Sequence, residues 1–186
     1  KAMARGVTQE VSETIFSYIA GYASYGFCEA HATAFANIAY KTAYLVKHYP
    51  AEFLAAILSH QPMGYYPPNT LCTEARRRGI GILPPDINRS GEAFAVEEGG
   101  IRVSLKQVKG MSESALKTIL QARSEGAFLS LEDFCRRTAG EKGATRAVPR
   151  DTIENLILCG TFDALHSNRR ELIWRLPRVL AGRQER

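Results

Sequence analysis

Nothing in these 186 residues approaches the roughly 18 consecutive apolar positions that a membrane-spanning helix needs. The opening also lacks the charged, apolar, small-residue layout of a secretory leader, so no membrane partner is expected. Cysteine is sparse and unpaired in pattern. Cys28, Cys72, Cys135 and Cys159 lie far apart with no C-x-x-C among them, and they read as reduced thiols, mostly buried. Cys28 and His31 share a two-residue spacing, but no second pair matches them, so no metal site is expected. Catalytic signatures are missing as well. There is no Walker A sequence, no G-x-G-x-x-G, no D-x-D and no nucleophile motif around a serine or cysteine. Two-metal phosphoryl transfer needs converging carboxylates. Here the acidic pairs Glu97-Glu98 and Glu132-Asp133 fall at a turn and a helix start, while Asp86 and Asp163 stand alone. Read by itself, the chain is expected to catalyse nothing.

What is present is an ordinary globular balance, 45% apolar and 23% charged, with a net charge of +5. The surplus is unevenly placed. Residues 1–68 carry four basic and four acidic groups, and residues 69–101 carry four and five. Residues 102–186 carry 16 basic and 10 acidic groups, more than the whole excess. A basic C-terminal half fits a polyanionic partner, most simply nucleic acid. A solvated basic surface with no partner is the other reading of the charge. The chain opens on Lys1 rather than methionine and reads as a piece of a longer protein.

Apolar spacing predicts a mainly α fold with a small β element. Thr8 is placed to cap a first helix whose face holds Val11, Ile15, Tyr18 and Ile19. Gly21 to Phe27 reads as a glycine-bracketed aromatic loop. A long helix follows from His31 through Tyr49, apolar or small around most of its circumference and therefore expected to be largely buried. Pro50 suits the start of the next helix, with Phe53, Leu54, Ile57 and Leu58 as its stripe. Pro62 to Pro68 breaks the pattern. Beyond it come a helix over 69–78 stopped by Gly79, a strand over 80–83 ended by Pro84-Pro85, and a β-hairpin whose strands 93–96 and 101–105 flank residues 97–100. Ser130 begins a capping-box-like start, 139–147 is a connector, and helices are expected over 149–159 and 167–180.

The most informative stretch runs from Leu105 to Leu120. It sets Lys109-Gly110-Met111-Ser112 before an amphipathic helix carrying Leu116, Ile119 and Leu120, and it resembles the helix-hairpin-helix motif of sequence-independent DNA-binding proteins. Gly110 permits a backbone conformation that a side chain obstructs. The turn feeds a helix N-terminus, whose free N–H groups and positive dipole end favour a phosphate oxygen. Lys106, Lys109 and Lys117 add positive charge, and Ser114 lies in the first turn. The motif usually has a second glycine where Ser112 stands, and serine tolerates positive φ less well. Ser112 can instead cap the helix or donate to a phosphate. A plain helical corner with solvated lysines is the competing reading. A degenerate second hairpin over 153–163, with Gly160 and Phe162, is expected to pack against the first. Arg146, Arg150, Arg169 and Arg170 surround it and could track a nucleic-acid backbone.

Several longer blocks resemble the fingers region of bacterial family C DNA polymerases, the family of the replicative polymerase III alpha subunit. They are Tyr25 to Phe35, Ala39 to Leu45, His48 to Phe53, Ala75 to Ile80, Leu83 to Asn88 and Gly160 to Asp163, in the family's order. Gln61 to Tyr66 is similar to the error-prone branch. The resemblance covers about residues 8–176. It implies the end of the fingers over 1–62, a small α/β connector over 63–105 and a tandem helix-hairpin-helix region over 106–186. The implied partners are duplex primer–template DNA, a deoxynucleoside triphosphate in the full enzyme, and a sliding clamp and mutagenesis accessory proteins. The implied setting is the bacterial cytoplasm, at the nucleoid.

The family's catalytic aspartates belong to a palm domain N-terminal to this region, so the implied Mg2+ serves the full polymerase and this stretch holds no cofactor. A clamp-binding motif and an OB domain are not expected before Arg186. His31 borders the incoming-nucleotide site by resemblance, or bonds locally near its helix start. Replicative members carry Asn-Lys-Ser before this histidine. Here Cys28-Glu29-Ala30 precede it, which removes a lysine contact to triphosphate and agrees with the error-prone branch. Two rivals stand beside this reading: a stand-alone helix-hairpin-helix accessory protein, and a structural remnant with no DNA affinity.

Overall fold

A computed structural model describes residues 3–25, 28–139 and 147–182, the side chains of residues 24 and 25 excepted. The chain divides into two compact units, Lys1–His48 and Tyr49–Arg186. The fold is mainly helical with one small sheet, as the spacing predicts.

The first unit holds α1 (Gln9–Tyr25) and α2 (Glu29–His48). Thr8 caps α1 by accepting the Val11 N–H at 3.4 Å. Two expectations are corrected here. Gly21 to Tyr25 continue α1 instead of forming a loop, because a lone glycine costs a helix only about 1 kcal/mol. Gly26 and Phe27 lie outside the described residues. Nor is α2 buried: none of its residues is, and only Ala32, Thr42 and Val46 are half-covered. An apolar circumference buries nothing unless another element packs over it.

In the second unit α3 (Pro50–Ser59) starts on its proline and buries Leu54, Ala55 and Leu58. α4 (Pro68–Arg77) ends before Gly79. Three short strands, β1 (Gly81–Leu83), β2 (Ala95–Glu97) and β3 (Gly100–Arg102), form a sheet in the order β1-β3-β2. β1 runs parallel to β3, and β2 and β3 make the expected hairpin. Its two-residue turn puts Glu98 and Gly99 at positive φ, matching the twist of the strands. One core cluster joins α3, α4 and the sheet through Leu58, Ala75, Ile80, Phe94 and Ile101.

The larger cluster lies under the remaining helices, α5 (Glu113–Ser124), α6 (Leu131–Arg137), α7 (Arg150–Leu158) and α8 (Arg169–Ala181). Its centre is a run of edge-on rings, with Phe128 against Phe134 at 5.0 Å and Phe134 against Phe162 at 5.2 Å between centroids. Each such pair is worth about 1 kcal/mol beyond its buried area. Arg137 lies over the Phe128 ring and donates to the Ala122, Gly126 and Ala127 carbonyls, closing the end of α5. The thiols depart from expectation: only Cys135 is buried, Cys72 is half-buried, and Cys28 and Cys159 are exposed.

The loop 84–91 ties the two clusters together. Asp86 accepts the N–H groups of Asn88 and Arg89 in a local turn. The Asn88 side chain then pairs both ways with Phe128, donating to its carbonyl at 2.9 Å and accepting its N–H at 2.8 Å. Ile87 N–H donates to the Thr161 carbonyl. Buried Ser90 donates to the Val103 carbonyl, and Arg123 donates to the Ile87 and Ser90 carbonyls.

Asn88→Ala strips two partners from the Phe128 backbone and is expected to lower unfolding stability by about 2 kcal/mol. Urea unfolding measures it, and an unchanged midpoint contradicts the loop's bridging role. Asp133 gives a pH prediction. Burial pushes its carboxyl upward, but the Leu129 N–H and the Arg136 and Arg137 guanidinium groups outweigh this and hold it below the ordinary aspartate value. Such a group stabilises the fold above the unfolded-state pKa, and that stability is lost as pH falls through the folded-state value. Stability is therefore expected to drop on acidification from about pH 5 to about pH 2. Asp133→Asn should start less stable at neutral pH and fall less steeply. An equal acid slope in both proteins rejects this assignment.

Candidate nucleic-acid interface

The Leu105–Leu120 stretch folds as a single 3-10 turn (Leu105–Gln107), a tight turn at Gly110, and then α5. Leu105 and Val108 are buried beneath it, and Ala115, Leu116 and Ile119 carry the buried face of α5. Lys106, Lys109, Gly110, Ser112, Ser114 and Lys117 are exposed, and Met111 is half-buried.

Gly110 takes φ +79°, and a side chain there would meet only ordinary contacts from Thr152 and Asn155, at 3.7 Å. Backbone angle, not lack of room, demands glycine. Ser112 replaces the motif's second glycine without strain, because its φ of −86° and ψ of 159° are extended. Its Oγ accepts the Ala115 N–H at 3.1 Å and its carbonyl accepts Leu116 N–H. The serine is thus an N-cap.

The turn is fastened from behind by α7. Thr152 Oγ1 donates to the Gly110 carbonyl, and Asn155 Nδ2 donates to the Lys109 carbonyl, both at 3.0 Å. The degenerate hairpin does pack against the first one. A trans peptide places its N–H opposite its C=O. With the Lys109 carbonyl held by α7, the Gly110 N–H faces away from it. The N–H groups of Lys109, Gly110, Ser112, Glu113 and Ser114 make no hydrogen bond with a described residue. Met111 differs, because its N–H donates to the Val108 carbonyl at 3.1 Å. It is not a backbone donor for a ligand, and its side chain packs against the core instead.

Charge around the turn is mixed but favours anions. Lys109 and Lys117 make no ion pair with a described residue, and Lys106 lies 3.9 Å from Glu92. Glu113, in the first turn of α5, stabilises that helix end and opposes an anion there. Two of the arginines around the second hairpin are engaged. Arg150 pairs with Glu154 at 2.7 Å. Arg169 grips Asp163 through Nε at 2.8 Å and donates to the Leu158 carbonyl at 3.0 Å. It also fills the space a side chain at Gly160 would need, and Gly160 stands at φ +88°. Arg170 stays exposed without an ion pair to a described residue, and Arg146 lies outside the described residues.

His31 belongs to the other unit. It is exposed on α2 and packs on Phe35 at 4.5 Å between ring centroids. Among the described residues no three His, Cys, Asp or Glu side chains gather as metal ligands.

Sequence reasoning missed Thr152 and Asn155 as fasteners. The available signal was two polar residues, three apart, beside the apolar stripe Ile153, Leu156 and Ile157. A buried helical threonine must find a partner, and here it is a turn 42 residues away.

A family model described as the helix-hairpin-helix motif matches residues 79–172. An error-prone DNA polymerase of Symbiobacterium thermophilum is 55% identical, matching all of this chain and 19% of its own length. One from Bdellovibrio bacteriovorus is 36% identical over 96% of this chain and 17% of its own. A DNA polymerase III subunit alpha of Chlamydia trachomatis is 39% identical over 91% and 13%. The chain spans about a fifth of these relatives or less. Matched by that family model over half its length, it belongs to the helix-hairpin-helix family, within a segment shared with bacterial error-prone and polymerase III alpha polymerases.

Proposed function

We propose that this chain is the fingers-end and duplex-gripping portion of an error-prone, DNA-directed DNA polymerase. Residues 1–62 would close the fingers, 63–105 would form the connector, and 106–186 would hold the primer–template. One observation carries the reading. The Gly110 turn is pinned by Thr152 and Asn155 with the Gly110 N–H facing away from α7, and Lys109 and Lys117, without an ion pair among the described residues, flank it. Such a turn binds phosphate oxygens without reading bases, as a polymerase needs on any sequence.

His31 would border the incoming deoxynucleoside triphosphate. Nucleotidyl transfer with Mg2+ would occur on carboxylates elsewhere in the full enzyme, leaving this stretch inactive alone. Damage tolerance through translesion synthesis, contact with a sliding clamp and accessory proteins, and work at the bacterial nucleoid follow from the same reading. A match running through both units supports this over a stand-alone accessory protein.

Titration at low salt with two duplexes of unrelated sequence is expected to give equal affinities. Their logarithm should fall with log salt by about 0.9 per phosphate contact. The double substitution Lys109→Glu, Lys117→Glu should weaken binding at least about tenfold. No duplex affinity, or unchanged binding by that variant, defeats the hairpin assignment. A second variant tests the fastening. Thr152→Val with Asn155→Ala keeps every lysine yet frees the turn, and it should lower duplex affinity and cost about 2 kcal/mol of stability. If affinity survives that stability loss, the two side chains do not organise the phosphate site.

A further inference from the structure

Helix α8 carries a feature that duplex binding at the hairpin does not use. Leu172 and Leu176 are buried, with Ile173, Val179 and Leu180 packed beside the same core. Residues four apart on a helix advance by about 40° and one turn. Arg170, Trp174 and Arg178 therefore form a stripe on the far side, and all three are exposed. Trp174 is the chain's single tryptophan and is 84% exposed, unusual for so large an apolar ring. Neither Arg170 nor Arg178 makes an ion pair with a described residue. The nearby acid, Glu171, is already engaged by Arg175 at 3.5 Å and by His166 at 3.5 Å. Arg175 also pairs with Glu132 across to α6. Among the described residues the stripe thus keeps two cations without an acidic partner, one a turn before and one a turn after an exposed indole.

We propose that Arg170, Trp174 and Arg178 form a binding site for single-stranded DNA, separate from the duplex site at the hairpin. An exposed base stacks on the Trp174 ring while the two guanidinium groups meet phosphates on either side. Charge complementarity selects the occupant, since flanking cations suit a chain of regularly repeating phosphates. The bare ring selects the strand state. A paired base is already stacked and offers no face, whereas an unpaired base does.

Being the only tryptophan, Trp174 reports its own occupancy. Titrating the full chain with an oligothymidylate of about a dozen residues is expected to quench its fluorescence saturably, and less at high salt. Arg170→Glu with Arg178→Glu should weaken this at least about tenfold. Trp174→Ala, followed by anisotropy of a labelled oligonucleotide, should cost about tenfold with unchanged circular dichroism. Lys109→Glu with Lys117→Glu should leave the quenching intact while weakening duplex binding at least about tenfold. Four results overturn the proposal. They are no saturable quenching, quenching that survives loss of both arginines, quenching that disappears with the hairpin lysines, and equal quenching by polyglutamate, which marks an acidic protein partner instead.

Discussion

Two hydrogen bonds from α7 to the carbonyls of Lys109 and Gly110 organise the hairpin turn. A turn with free N–H groups is costly to hold in water, where its amides can rotate to any solvent partner. Capturing the carbonyls from behind removes that freedom before a ligand arrives. The first bond turns the Gly110 N–H outward, and the second closes the turn in which Met111 N–H is consumed. Neither fastener touches the ligand side. Each acts through the planarity of a peptide group.

The fasteners must themselves be held, and here the loop 84–91 matters. α7 ends in the second hairpin, where Thr161 Oγ1 and N–H both return to the Leu156 carbonyl. The Thr161 carbonyl accepts Ile87 N–H, and Phe162 enters the ring stack with Phe134 and Phe128. Asn88 then clamps the Phe128 backbone from the same loop. The connector is thus hydrogen-bonded to both hairpins. The match to the helix-hairpin-helix family includes this loop, beginning at residue 79.

Local chemistry was legible in the residues, while long-range chemistry was not. Thr8, Ser112 and Ser130 each cap the helix their spacing announced. The hairpin turn and the stop before Gly79 need only neighbouring residues, so they too could be read. Burial of α2 could not. Its apolar circumference describes what the helix could bury, whereas burial requires a covering surface elsewhere. Gly21 misled for a related reason, since flanking helix-favouring residues carried α1 across it. Arg137 could not be read at all. Three carbonyl acceptors from the last turn of α5 and the loop after it, and a ring beneath the guanidinium, become visible only when α5 and α6 are side by side.

The basic excess of the C-terminal half takes a different meaning once its partners are known. Many of those cations are structural. Arg102 is buried against Glu97 and the Pro84 carbonyl, Arg123 holds the loop 84–91, Arg137 closes α5, and Arg169 fills the second hairpin. A cation already satisfied by carboxylate or carbonyl has little attraction left for phosphate, because taking it requires losing the first partner. Raw charge therefore overstates the number of cations free to meet a phosphate. The cations left without an ion pair among the described residues include Lys109 and Lys117 at the hairpin, and Arg170 and Arg178 on α8. Each pair flanks a group able to complete recognition, free backbone N–H groups in one case and an exposed indole in the other. What makes a charge count informative here is the subtraction of the structural arginines. Among the described residues that remainder is small and gathered at two places, the hairpin turn and the exposed stripe of α8.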